Sequence, residues 1–137
     1  MTSTTVAIPG PPAADVRRYP RVLVDEDAHF ARPATGAVVA RVHDVSPDGL
    51  QVVCDRDTMR AFVPPGGLRP DAESPRVLAR FSLPLADGRE RIDVECRVIH
   101  MAVGDGAEFA LGLKFSSMSA HSASVLQEFI EQSLLPS

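Results

Sequence analysis

Two short stretches carry residue types suited to holding an anionic, purine-bearing ligand. The first is Arg17-Arg18-Tyr19-Pro20-Arg21, three guanidinium groups within five residues. A guanidinium is a planar fork that pairs bidentately with phosphate oxygens and also stacks on purine rings. Pro20 disfavours helical geometry at Tyr19 and lacks an N–H, so an extended or turned path is expected, with the arginines splayed. Each charge-assisted bond contributes about 1.5–3 kcal/mol once desolvated, enough for several together to hold a ligand carrying two phosphates. Taken alone, the stretch equally fits an exposed basic segment between a loose leader and a strand.

The second stretch is Asp44-Val45-Ser46-Pro47-Asp48-Gly49, a D-x-S-x-x-G pattern between two expected strands. Ser46 begins a turn in which Pro47 and Gly49 take the positions that a type I turn favours for proline and glycine. The Ser46 hydroxyl is suited to capping backbone groups there. Nothing in a turn requires a carboxylate two residues before its start, which singles out Asp44. An ionised aspartate only accepts, so it matches the N1–H and N2–H of a guanine edge, while arginine matches guanine O6 and N7. Alone, this pattern also fits an ordinary hairpin with a surface aspartate.

The elements that must position these groups are short and alternate in hydropathy. Period-two patterning predicts strands over 21–25, 37–45, 50–54, 77–83, 92–101 and 108–115. Val38, Ala40 and Val42 share one face of the second, with Val39, Arg41 and His43 on the other. Phe109, Leu111, Leu113 and Phe115 face inward on the last, which leaves Lys114 outward as a surface lysine. Asp87-Gly88 and Asp105-Gly106 are dipeptides that tight hairpins favour. Pro64, Pro65, Gly66, Gly67 and Pro70 argue against a strand, so 55–76 reads as a long connection. Asp25, Glu26 and Asp27 read as a charged, solvated loop.

Val125, Leu126, Phe129, Ile130 and Leu134 form one stripe of a helix, with Ser119 or Ser122 as its cap. The resulting fold class is mainly β: a six-stranded antiparallel β-barrel with a C-terminal α-helix, which hides the sheet edges and buries both stripes. Residues 1–15, rich in Pro, Thr and Ser, read as a flexible leader. The domain then runs over 16–134, with a tail at 135–137.

Composition narrows the function. The chain has 137 residues, a net charge of −4, no Trp and one Tyr. An acidic chain poor in aromatics suits neither a general nucleic-acid binder nor a stacking platform for single strands. The longest apolar runs fall well short of the roughly 20 residues of a membrane span, and the N-terminus lacks the basic start and apolar core of a secretion signal. A cytoplasmic location is the expectation. Cys54 and Cys96 fall among strand residues as buried, reduced thiols. The four histidines lack metal-ligand spacing, Gly104-Asp105-Gly106 lacks the helix start of a phosphate loop, and no nucleophile elbow accompanies His121 and its neighbouring serines. Neither a catalytic role nor a cofactor is expected.

R-x-x-x-R followed by D-x-S-x-x-G at the start of an expected β-barrel resembles the PilZ domain family. The resemblance continues through residues 94–100, through Leu111-Gly112-Leu113-Lys114-Phe115 and through the helix at 126–130, and covers about 16–134. It implies a six-stranded barrel that binds cyclic di-GMP as its ligand. Arg17 and Arg21 would then hold phosphates and a guanine Hoogsteen edge from the N-terminal segment, and Arg18 matches a second arginine frequent in the motif. Asp44 and Ser46 would contact the other side of the ligand, and Gly49 would be the turn position that keeps the strand pair open to it. Many members carry a further arginine where this chain has Val16, so one ligand per chain is expected. Output would pass to an unidentified protein partner, with no nucleic-acid polymer and no membrane span involved. Two alternatives remain at this point: a PilZ-like adaptor that binds no nucleotide and acts in pilus or flagellar assemblies, and an OB-like barrel for single strands.

Overall fold

The computed structural model describes residues 21–32, 36–69, 74–104 and 106–134. The expected leader and tail lie outside these residues. Along the chain come strand β1 (Val22–Arg32), β2 (Gly36–Ser46), β3 (Gly49–Cys54), helix α1 (Arg56–Phe62), β4 (Arg76–Leu85), β5 (Gly88–Val103), β6 (Phe109–Met118) and helix α2 (Ala120–Leu134). Every strand pairing is antiparallel, and the order β1-β2-β3-β6-β5-β4 closes because β1 also pairs with β4. Closure leaves no sheet edge to be protected.

The interior follows from alternation. Val77, Ala79, Phe81 and Leu83 of β4 meet Ile92, Val94, Cys96 and Val98 of β5, and Leu111 and Leu113 of β6 complete the wall; all are buried. One end is sealed by α2, which packs on β4 and β5 with Val125, Leu126, Phe129 and Ile130 buried. Ser119 is its cap, since its Oγ accepts from the Ser122 N–H at 3.0 Å, while the Ser122 hydroxyl accepts from the Asp93 N–H of β5 at 3.1 Å. Leu134, expected in the apolar stripe, is instead exposed at the helix end.

Two other expectations need correction. The connection over 55–76 contains α1, whose start Asp55 caps by accepting from the Thr58 N–H at 2.8 Å. This helix is held to the barrel from its far end: Phe62 is buried with its ring edge-on to Phe30 at 5.1 Å. Arg32 Nη1 donates to the Ala61 carbonyl at 2.9 Å. The acidic run Asp25-Glu26-Asp27 is not a loop but part of an eleven-residue β1. Cross-strand arginines make that acceptable: Arg41 pairs with Asp25 and Asp27, and Arg89 with Glu26. Opposite charges facing across strands favour the pairing, and Ala28 and Phe30 draw the later half of β1 into the core.

Candidate functional site

Strict alternation along β2 would carry Asp44 into the core, because Ala40 and Val42 are buried. A bulge prevents this. On β3, Val52 opposes Val42 and Gln51 opposes Asp44, which leaves His43 without a partner. One extra residue reverses the face of everything that follows it. Val45 therefore turns inward opposite Leu50, and Asp44 joins Gln51 on the outer face. On the other side of β2, β1 has its own irregularity between Leu23 and Glu26. There Asp25 adopts a left-handed φ of 58°, and Arg41 Nη1 donates to both its carbonyl and its carboxylate at 3.0 Å. Bulges commonly re-aim a side chain at a functional site, and here the side chain is Asp44.

Although Asp44 faces outward, its side chain is only 8% exposed. Arg21 reaches it from the chain just before β1, with both Nε and Nη2 at 2.6 Å from Oδ1. His43 approaches the other oxygen, Nδ1 to Oδ2 at 2.9 Å. A carboxylate only accepts, so Nδ1 carries the proton in that bond. Oδ1 thus accepts from Arg21 Nε and is covered by Nη2 at ion-pair distance, while Oδ2 accepts from His43. Ser46 is buried at the turn; its Oγ donates to Asp48 Oδ1 at 2.6 Å and lies 3.4 Å from the Gly49 carbonyl. The turn is tied to β6 by the Phe115 N–H, which donates to the Asp48 carbonyl at 2.9 Å.

Gly49 has a structural reason that its turn position alone does not supply. It begins β3 opposite Lys114, and a Cβ there would collide with the Leu113 carbonyl oxygen. The residue is glycine because β3 and β6 approach closely there, and both Gly49 and Ser46 are buried. Arg17 and Arg18 lie outside the described residues. Of the expected site residues, the structure brings Arg21, Asp44, Ser46 and Gly49 onto one corner of the barrel.

Sequence reasoning missed His43, assigned only to a strand face. The signal was the conflict between alternation and a motif carboxylate two residues after a buried valine. The thiols are set apart from this chemistry. Burial, with a smaller contribution from Asp55, pushes Cys54 up to about 11; burial, aided by Glu95, pushes Cys96 up to about 12. No cluster of potential metal ligands occurs among the described residues, and no helix among them is long and apolar enough to cross a membrane.

Comparison with known proteins agrees with this architecture. The family model described as the PilZ domain matches residues 15–132. No curated protein matches the chain by sequence. Among solved structures, the motility inhibitor MotI/DgrA of Bacillus subtilis superposes with a TM-score of 0.64 at 18% identity, covering 88% of this chain and 52% of that one. The PilZ domain of YcgR from Escherichia coli, solved with c-di-GMP, gives 0.55 at 17% identity, covering 87% and 92%. The MrkH–c-di-GMP complex of K. pneumonia gives 0.59 at 14% identity, covering 87% and 52%. The chain therefore spans about half the length of MotI/DgrA and MrkH and nearly all of the YcgR domain. At these identities the likeness establishes the fold.

Proposed function

Because the chain belongs to the PilZ domain family, we propose that it is a receptor for cyclic di-GMP that acts through a protein partner rather than by catalysis. One observation carries the reading: Arg21 and Asp44, 23 residues apart, meet at 2.6 Å on the outer face. This contact between the last arginine of R-x-x-x-R and the first residue of D-x-S-x-x-G supports reading the two motifs as parts of one site. YcgR and MrkH, which share the fold, are solved with c-di-GMP.

The occupancy of the Asp44 oxygens suggests how binding proceeds. A guanine edge presents N1–H and N2–H and needs one lone pair on each carboxylate oxygen. The Arg21 guanidinium, with Nε and Nη2 both 2.6 Å from Oδ1, covers that oxygen, so a guanine edge reaches it only once Arg21 moves aside. Ligand binding is then an exchange, in which guanine takes over Asp44 and Arg21 turns its fork to a phosphate or to guanine O6 and N7. Arg17 and Arg18 supply further phosphate contacts, Ser46 holds the turn beside the base, and Gly49 lets β3 lie close against β6 there. The repositioned Arg21 and the ligand beside it are the change a partner reads. With Val16 where a further cation would help stack a second dianion, one ligand binds per chain. The proposed location is the cytoplasm.

Calorimetric titration of the purified protein with cyclic di-GMP tests the proposal. Binding at one ligand per chain is expected, weakened at least tenfold in Arg21→Ala and in Asp44→Ala. No binding by the unsubstituted protein would refute it, and two ligands per chain would refute the stoichiometry.

A further inference from the structure

The sequence contains thirteen arginines and one lysine, Lys114. That lysine stands on β6 directly opposite Gly49, which in turn pairs with Ser46 across the turn. Residues directly opposite in antiparallel strands share a face, so Ser46, Gly49 and Lys114 form one row running outward from the Asp44 corner. Adjacent strands are about 4.8 Å apart, which puts the Lys114 backbone roughly 10 Å from that of Ser46. An extended lysine side chain covers about 6 Å of this distance. Gly49 lies between, with no side chain to block the path, and the Phe115 N–H bond to the Asp48 carbonyl fixes β6 against the turn.

Charge gives Lys114 a reason to be used. Among the described residues at this corner, Arg21 is balanced by Asp44, and Asp48 adds a further negative charge. Cations that offset it come from further along the row, where Lys114 stands opposite Arg97 of β5, whose Nη1 is engaged with the Ser74 carbonyl. Lys114 is exposed and makes no hydrogen bond or ion pair among the described residues. Its ammonium is therefore available without breaking an existing contact, unlike Arg21. A lysine binds phosphate as a mobile point charge and needs no fixed fork geometry.

From the register and this charge balance, we infer that Lys114 is a ligand-binding residue of the site: it reaches along this row, past Gly49, to a phosphate of the bound cyclic dinucleotide. This rests on the reading of the site as a cyclic di-GMP receptor, and it adds a contact from β6 that neither motif contains.

The single ε-amine makes the test direct. The whole protein is pulse-labelled with an amine-reactive acetylating reagent, with and without saturating cyclic di-GMP, and modification is read by mass spectrometry. The chain's α-amine serves as internal reference. Lys114 labelling is expected to slow at least threefold relative to the reference when ligand is bound. In calorimetry, Lys114→Gln is expected to weaken binding about fivefold or more, and Lys114→Arg to recover most of the loss. If the unsubstituted protein binds the ligand while labelling is unchanged, or if Lys114→Gln binds equally well, the inference fails and the receptor reading stands. If the unsubstituted protein binds no cyclic di-GMP, both fail.

Discussion

The ion pair between Arg21 and Asp44 makes an unequal prediction for its two halves. Asp44 is 8% exposed at its side chain and Arg21 is 27% exposed. Removing Arg21 leaves a nearly buried carboxylate with His43 as its remaining donor. Breaking a fully buried pair in this way costs about 3–5 kcal/mol, and a fully exposed pair contributes about 0.2–1 kcal/mol. The partial exposure of Arg21 places Arg21→Ala between these limits, at about 1–2 kcal/mol. Asp44→Ala instead frees two donors, Arg21 and His43, that are partly exposed and that water can serve, so it should cost less, about 1 kcal/mol or under. For a domain of this size one kcal/mol corresponds to about 4 °C in Tm, so Arg21→Ala should melt roughly 4–8 °C lower. Urea unfolding of both single variants and of the double variant gives the coupling energy, expected at about 1 kcal/mol. A coupling below about 0.3 kcal/mol, or an Asp44 variant less stable than the Arg21 variant, would refute the idea that the two motifs are joined before ligand arrives.

Three other perturbations test the frame around the site. Gly49→Ala pushes a methyl group into the Leu113 carbonyl, and overpacking against backbone should cost about 1–3 kcal/mol, measured as a lower urea midpoint; an unchanged midpoint would contradict the close approach of β3 and β6. Phe62→Ala removes the ring that anchors α1 beside Phe30 and should cost about 3–5 kcal/mol, with early loss of amide protection over α1 in hydrogen exchange. Thiol reactivity in the native state should be slow and ordered: with Cys54 pushed up to about 11 and half-buried, and Cys96 to about 12 and buried, both are almost wholly protonated at pH 8. A disulfide reagent should modify Cys54 first, faster as pH rises toward 10, and Cys96 only on unfolding; prompt reaction of both at pH 8 would overturn the burial argument.

The barrel was legible because its strands alternate in the simplest way: inward valines and leucines of β4, β5 and β6 were correctly assigned face by face. What escaped notice follows from devices that composition hides. In β1 the acidic run looked like solvated loop, since its arginine partners Arg41 and Arg89 lie far away in sequence and are found only once strands are paired. Helix α1 has seven residues, fewer than two full periods of an apolar stripe, and the Pro-Gly cluster that follows it dominated the reading. Gly49 was visible as a motif glycine, but its reason was not. The turn supplied a plausible explanation, whereas the decisive contact is with Leu113, 64 positions away.

The bulge at His43 bears on why the site stands where it does. A barrel wall offers a ligand only the outward half of each strand, and the carboxylate that would receive a base must be outward yet shielded from water to be strong. Regular alternation cannot supply both at position 44, because Val42 and Val45 must both be inside. One extra residue resolves the conflict: Asp44 turns out, and the same extra residue, His43, folds a ring against it. The irregularity of β1 between Leu23 and Glu26 faces this place across the ladder, so the chain enters the barrel beside Asp44 and delivers Arg21 to it. Straightening either bulge would separate arginine from aspartate without altering a single residue of either motif. The Arg21–Asp44 corner is thus a property of strand register as much as of side-chain identity, and a chain carrying both motifs on evenly paired strands would lack it.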